Sequence, residues 1–298
     1  MARLFNAYLI VHWSAAGKPT TGTDSVWVGV LKRDVRFRFA FEAHNPPTRA
    51  KAEELIAGIL DDRAKRRERT FVGLDFPLGF PAGLAAGLNL PGETPWRAVW
   101  DQLAKMVKDK ADNTNNRFGV GSEINRRLTG GPFPFWGCTP KDALTTLQPK
   151  RTRAHGPGDL AEFRHIDQMQ KPPGSIWKLY YNGSIGGPAI LGIPLARRLK
   201  LARGEKMKVW PFESGFKALT ENDLEGVDAL VAEVTLAGSA GTSVPGEAKE
   251  VAQLRAFTEA LSRLDDAGKL SGQFAPPAGT SEETVQVATI EEGWALAV

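Results

Sequence analysis

Thr70-Phe71-Val72-Gly73-Leu74-Asp75-Phe76-Pro77-Leu78-Gly79-Phe80-Pro81 is the stretch that decides the fold. A short apolar run arrives at one carboxylate, and two prolines and a glycine then forbid regular structure. The run reads as a buried strand, its length and lack of polar alternation matching a parallel strand covered on both faces. Pro77 has no N–H to give a ladder, so the strand stops near it. Asp75 is therefore expected at the carboxyl end of a strand, where open α/β sheets place their sites. A carboxylate there must be hydrogen-bonded, paired or bound to a cation.

The chain has 298 residues, 42% of them hydrophobic, enough for one large domain or a core with a sizeable insertion. No apolar run approaches the length of a membrane span, and Met1-Ala2-Arg3-Leu4-Phe5-Asn6 lacks the apolar region of a signal peptide. Cys138 is the single cysteine, which excludes an intrachain disulfide and fits a cytoplasmic protein; with no His or Cys at ligand spacing it reads as inert. A net charge of +4 permits an anionic partner without requiring one. Composition is silent on oligomeric state.

Ahead of the Asp75 strand come three more. Ala7-Tyr8-Leu9-Ile10-Val11-His12-Trp13 is a buried strand, Asp24 to Leu31 a second, and Arg36 to Phe41 alternates with period two as a half-exposed third near an edge. Thr48 caps a helix running to about Arg67, with Leu55, Ile56, Ile59 and Leu60 on one face. The order β-β-β-α-β folds as an antiparallel meander whose helix crosses over to a strand lying parallel beside the first. That is the core of the ribonuclease H-like fold, an α/β architecture, and it sets His12 beside Asp75.

Residues 82 to 174 interrupt the pattern. They hold one clear helix, Pro95 to about Lys110, and are too sparse in apolar positions for a core of their own, so they read as an insertion over the strand ends of a single 1–298 domain. Regular structure resumes as a strand at Ser175-Ile176-Trp177-Lys178-Leu179. A helix opens at Asn182 to Gly187 and reaches about Lys200, with a kink or break at Pro194. Met207 to Glu213 and Asp228 to Leu236 are further strands, and Glu247 to about Ala267 is a strong amphipathic helix.

Glu213 repeats the logic of Asp75, an acid at the end of an apolar strand with a proline two residues away, and Glu250 opens the last long helix. Asp75, Glu213 and Glu250 gathered at one sheet edge would hold one or two Mg²⁺ or Mn²⁺ ions, which favour carboxylate oxygen. Ions about 4 Å apart can activate water and stabilise the leaving oxygen of a phosphodiester. His12 would serve as ligand or base, although imidazole is a poor Mg²⁺ ligand. An acid in a helix first turn is also favourable without any ion, and a core histidine needs no function. Gly183, Ser184 and Gly186 at a helix entrance could cradle a phosphate, or serve only as a close-packed turn. Arg126-Arg127 and the other basic groups could track phosphates, and the Phe133/Phe135/Trp136 loop could stack bases or simply pack.

These motifs resemble the bacterial predicted nucleases of ribonuclease H-like fold, a family otherwise described as a domain of unknown function. The resemblance runs through His12-Trp13-Ser14-Ala15, Gly73 to Pro81, Pro134-Phe135-Trp136-Gly137, Phe163-Arg164, Ser175 to Leu179, Gly183-Ser184-Ile185-Gly186, Gly192-Ile193-Pro194, Val209 to Glu213 and Glu292-Gly293-Trp294. It implies a metal-dependent nuclease or phosphodiesterase, with Ser14 and Arg164 added to the substrate-binding set and nucleic acid or another phosphate-bearing molecule as partner. Three positions depart from the family pattern. His12 replaces aspartate, Asp167 stands where glutamate is expected, and Glu250 stands where aspartate is expected. The first removes a charge, so weak metal binding, a preference for Mn²⁺ or loss of catalysis follows. The alternatives are a non-catalytic nucleic-acid or nucleotide binding protein and a small-molecule phosphotransferase. The paired domains and phosphate motifs of phosphotransferases are missing from the sequence.

Overall fold

The computed structural model describes residues 3–34, 36, 38–170, 174–236 and 246–297. In chain order it contains β1 (Ala7–His12), β2 (Trp27–Arg33), β3 (Phe39–His44), α1 (Arg49–Lys65), β4 (Thr70–Asp75), α2 (Leu84–Gly87), α3 (Pro95–Met106), α4 (Arg117–Thr129), α5 (His165–Gln170) and α6 (Gly186–Arg203). After these come β5 (Met207–Val209), β6 (Ala229–Val234), α7 (Lys249–Asp266), α8 (Leu270–Gln273), α9 (Glu282–Val287) and β7 (Ala295–Leu296).

The seven strands form one mixed sheet of order β3-β2-β1-β4-β6-β5, with β7 also on β6. β1, β2 and β3 pair antiparallel, and β4 lies parallel to β1 with His12 directly opposite Asp75. This is the meander-and-crossover expected from the sequence. Thr48 caps α1 through its hydroxyl, which accepts from the Lys51 N–H at 3.3 Å. β6, not β5, neighbours β4. β5 covers only Ala229 to Val231 of β6, because Trp210-Pro211 ends it, and β7 takes over at Glu233 and Val234.

Period-two alternation divides the strand side chains between two cores. Leu9, Val11, Val72, Leu74 and Val231 face one layer, packed by Ile56 of α1, Trp100 and Leu103 of α3 and Ile190 and Ile193 of α6. Tyr8, Ile10, Phe71, Ala232 and Val234 face the other, packed by Leu254, Phe257 and Leu261 of α7. Trp96, Trp100, Val120, Ile124 and Phe135 from the 82–174 stretch belong to the first core, so the insertion is fused to the sheet.

Several elements depart from expectation. β3 begins at Phe39; Phe37 lies outside the described residues, as do 171–173 at the end of the insertion. Ser175 to Leu179 is not a strand but a turn-rich segment held to Trp136 by the Trp136 N–H to Trp177 O bond (3.0 Å) and the Leu179 N–H to Trp136 O bond (2.9 Å). α6 runs unbroken through Pro194, and α4 is a helix where none was expected. Gly119 and Gly121 hide α4 from propensity reasoning, and Gly121 is needed because a Cβ there would meet Leu179 Cδ1 at 2.6 Å. No described helix is long and apolar enough to cross a membrane.

Candidate functional site

β1 and β4 are adjacent, parallel and end in register, so their last side chains project together from the sheet edge. His12 follows Tyr8 and Ile10, and Asp75 follows Phe71 and Gly73, which puts both on the α7 face. Gly73 has no room for a side chain, since a Cβ would meet Ile10 Cδ1 at 2.5 Å and Val234 Cγ1 at 2.7 Å. The two strands can therefore lie close enough for His12 Nδ1–H to donate to Asp75 Oδ2 at 2.8 Å. The other carboxylate oxygen of Asp75 faces the Leu236 N–H at 3.4 Å. Both side chains keep partial solvent contact, 29% for His12 and 22% for Asp75.

α7 brings Glu250 to the same corner, where its Oε1 faces the Asp24 N–H at 3.4 Å. Burial alone would lower the His12 pKa. The Asp75 hydrogen bond and charge, followed by the charges of Glu250 and Asp24, outweigh burial and raise it. A histidine so placed has its tautomer set by Asp75. Its Nε2 has no hydrogen-bond partner among the described residues and can take or give a proton. Asp24 was not foreseen from the sequence. The signal was available: in an antiparallel pair His12 sits opposite Trp27, so the residues just before Trp27 must return to the end of β1.

Glu213 does not join this corner. Its Oε1 pairs with Arg97 of α3 at 3.1 Å and with Lys200 of α6 at 3.2 Å, and its Oε2 accepts from its own Val209 N–H at 3.0 Å. α3 and α6 cover the sheet face opposite α7, so Glu213 and Asp75 serve different sides. The three-carboxylate set expected to hold Mg²⁺ or Mn²⁺ is thus not assembled. Among the described residues no group of three His, Cys, Asp or Glu side chains is arranged to hold a metal ion.

The remaining expected substrate ligands are also otherwise engaged. The Ser184 and Gly186 N–H groups donate to Tyr181 O (3.0 Å) and Lys178 O (3.0 Å), so the Gly183-Ser184-Gly186 turn is a packed helix entrance and not an open cradle. Ser14 Oγ donates to Asp24 O at 2.6 Å and pins the loop beside the dyad. Arg126 is exposed and bidentate with Glu123. Arg164 is fully buried, and all five of its N–H donors are used by Asp167, Glu233 and Glu292 O at 2.7–3.1 Å. It ties the insertion to β6 and to the C-terminal segment. Burial opposes its charge, but Glu233 and Asp167 hold its pKa well above the ordinary value. Among the other basic groups, Arg63, Arg69, Arg151, Arg153, Arg197, Arg198 and Arg203 each have an acidic partner. Phe133 and Phe135 are core side chains packed on His155 and Trp177.

No protein-family model, curated protein or solved structure matches the chain.

Proposed function

We propose that the protein is a hydrolase of phosphate esters on a ribonuclease H-like core, with His12 as the proton-transferring group and Asp75 as its positioning partner. The observation that carries this reading is the 2.8 Å His12–Asp75 hydrogen bond at the carboxyl ends of two parallel strands. The substrate class rests on the arrangement of the core, three antiparallel strands followed by a helix crossover to a strand beside the first, which is an argument from fold analogy. In the reaction, neutral His12 takes a proton at Nε2 from a water attacking phosphorus. The new P–O bond forms as the ester P–O bond breaks, and the leaving oxygen takes a proton from solvent. Asp75 keeps Nδ1 protonated and stabilises the imidazolium that forms. Glu250 and Asp24 favour that same cation, which makes His12 a stronger base.

The test is turnover of a chromogenic phosphodiester and of single-stranded oligonucleotides by the wild-type chain and by His12→Asn and Asp75→Asn. Turnover that drops about a hundredfold or more in both variants, while folding is retained, supports the reading. Turnover unchanged in either variant, or absent from the wild type on every phosphate ester tried, removes it.

A further inference from the structure

Arg117, at the first turn of α4, is buried, with 7% of its surface exposed, yet it has no carboxylate within ion-pair reach among the described residues. Its Nη1 donates to Asn115 Oδ1 at 3.0 Å, and its buried Nε has no partner among the described residues. The contrast with neighbouring Arg49 is direct, since Arg49 is also buried but bidentate with Asp109 at 2.6 Å through Nε and Nη2. A buried cation without a counterion is costly, and an anion at that spot would relieve the cost. The surroundings also disfavour the charge: burial first and the charge of Arg49 second push the Arg117 pKa down to about 10.

Arg117 stands where α4 and α6 meet the loop that continues β1 beyond His12. Its Cδ lies 3.6 Å from where a Cβ on Gly187 would sit, in the first turn of α6. Ala15 Cβ, from the loop that continues β1 beyond His12, lies 3.2 Å from the same point. Aromatic rings surround the guanidinium. Its Cζ is 4.3 Å from the Phe118 centroid and 5.8 Å from that of Tyr180, and the Tyr180 and Tyr181 rings lie 4.7 Å apart. Both tyrosines are exposed, 38% and 47%, among the few large apolar side chains that are. Tyr181 is held there at φ +72°, an unfavourable backbone for an aromatic residue, with its hydroxyl donating to Cys138 O at 3.1 Å.

We propose that Arg117, Phe118, Tyr180 and Tyr181 form a subsite for a nucleotide unit, with its phosphate on the Arg117 guanidinium and its base on the exposed tyrosine rings. Arginine binds phosphate oxygens through paired N–H donors, and any base can stack on a tyrosine face, so recognition would be tolerant of sequence. The assignment names the substrate class of the proposed hydrolase and to that extent rests on that reading.

The two separate experimentally in the Asp75→Asn variant of the 298-residue chain, which retains the subsite. Fluorescence anisotropy with a fluorescein-labelled oligo(dT) is expected to show saturable, salt-sensitive binding, with a thymidine mononucleotide competing if one unit suffices and failing to compete if a strand is needed. Arg117→Met and Tyr180→Ala, each added to that background, are expected to weaken binding about tenfold. Should Arg117→Met not fold, the exposed Tyr180→Ala decides alone. No binding by Asp75→Asn, or full affinity in the folded variants, overturns the subsite. Oligonucleotide binding by a wild-type chain that hydrolyses nothing overturns the hydrolase and leaves the subsite standing.

Discussion

Two acidic clusters stand on opposite faces of the same sheet and are built from similar residues, yet they differ in every physical respect that matters. On the side of α3 and α6, Arg164 joins Asp167, Glu233 and Glu292, all buried, with each donor matched to an acceptor. Glu292 adds bonds from Ala82 N–H at 2.9 Å and from both the backbone and the ring of His165 at 2.8 Å. On the α7 side, His12 and Asp75 are joined by one strong bond and keep contact with solvent, with the carboxylate of the buried Glu250 near enough to raise the His12 pKa. A saturated buried network fastens chain segments together and leaves nothing for a ligand. An undersatisfied, half-open one retains a proton-transfer group. The comparison separates structural from chemical acids better than residue type does.

The largest expected effect that would break this contrast is on stability. Arg164→Met leaves Glu233 and Asp167 buried without their counterion, which should cost about 3–5 kcal/mol, read as a lowered urea midpoint at unchanged slope. A variant as stable as the wild type would show that the buried cluster does not fasten the fold.

Next is Asp75→Asn. It is expected to cut kcat about a hundredfold, equivalent to about 2.7 kcal/mol, while the urea midpoint moves little because the pair is partly solvated. An equal loss of stability and activity would make both clusters structural.

Glu250→Gln sharpens the chemical side with a smaller effect. Glu250 is among the charges that raise the His12 pKa. A base works only when deprotonated, so kcat/KM should climb with pH through that raised pKa. Removing Glu250 should move the rising limb to lower pH. A limb that stays in place or moves upward would detach Glu250 from the site.

The smallest effect is expected from Glu213→Gln. Glu213 pairs with Arg97 and Lys200 away from Asp75, so turnover should be unchanged and stability should fall by at most about 1 kcal/mol. Any heat released on Mn²⁺ addition in calorimetry should likewise be unaltered. A collapse of activity in this variant would restore the three-carboxylate arrangement.

Much of the core was legible because its signals are local. The apolar run ending at Asp75 and Pro77, the alternation of the strands and the Thr48 cap all act within a few residues, and the β-β-β-α-β order leaves few ways to connect them. His12 and Asp75 could be paired on that basis. α4 escaped notice because its glycines trade helix propensity for close packing, a compensation visible only when Leu179 is in place. Ser175 to Leu179 was apolar enough to pass for a strand, but only one bridge, to Trp136, was there for it to make.

The sequence by itself determined the strands β1 to β4, that β4 lies beside β1, and that an imidazole meets a carboxylate where they end, since backbone sterics and apolar periodicity need no distant partner. Tertiary structure alone decided which acids are neighbours. Glu213 and Asp75 carry the same local pattern, but β6 enters the sheet between their strands and the face each side chain takes depends on which helices pack there. Charges distant in sequence acquire a role only from that packing: Glu213 finds Arg97, 116 residues away, Asp75 finds His12, 63 residues away, and Arg117 finds no carboxylate within ion-pair reach among the described residues.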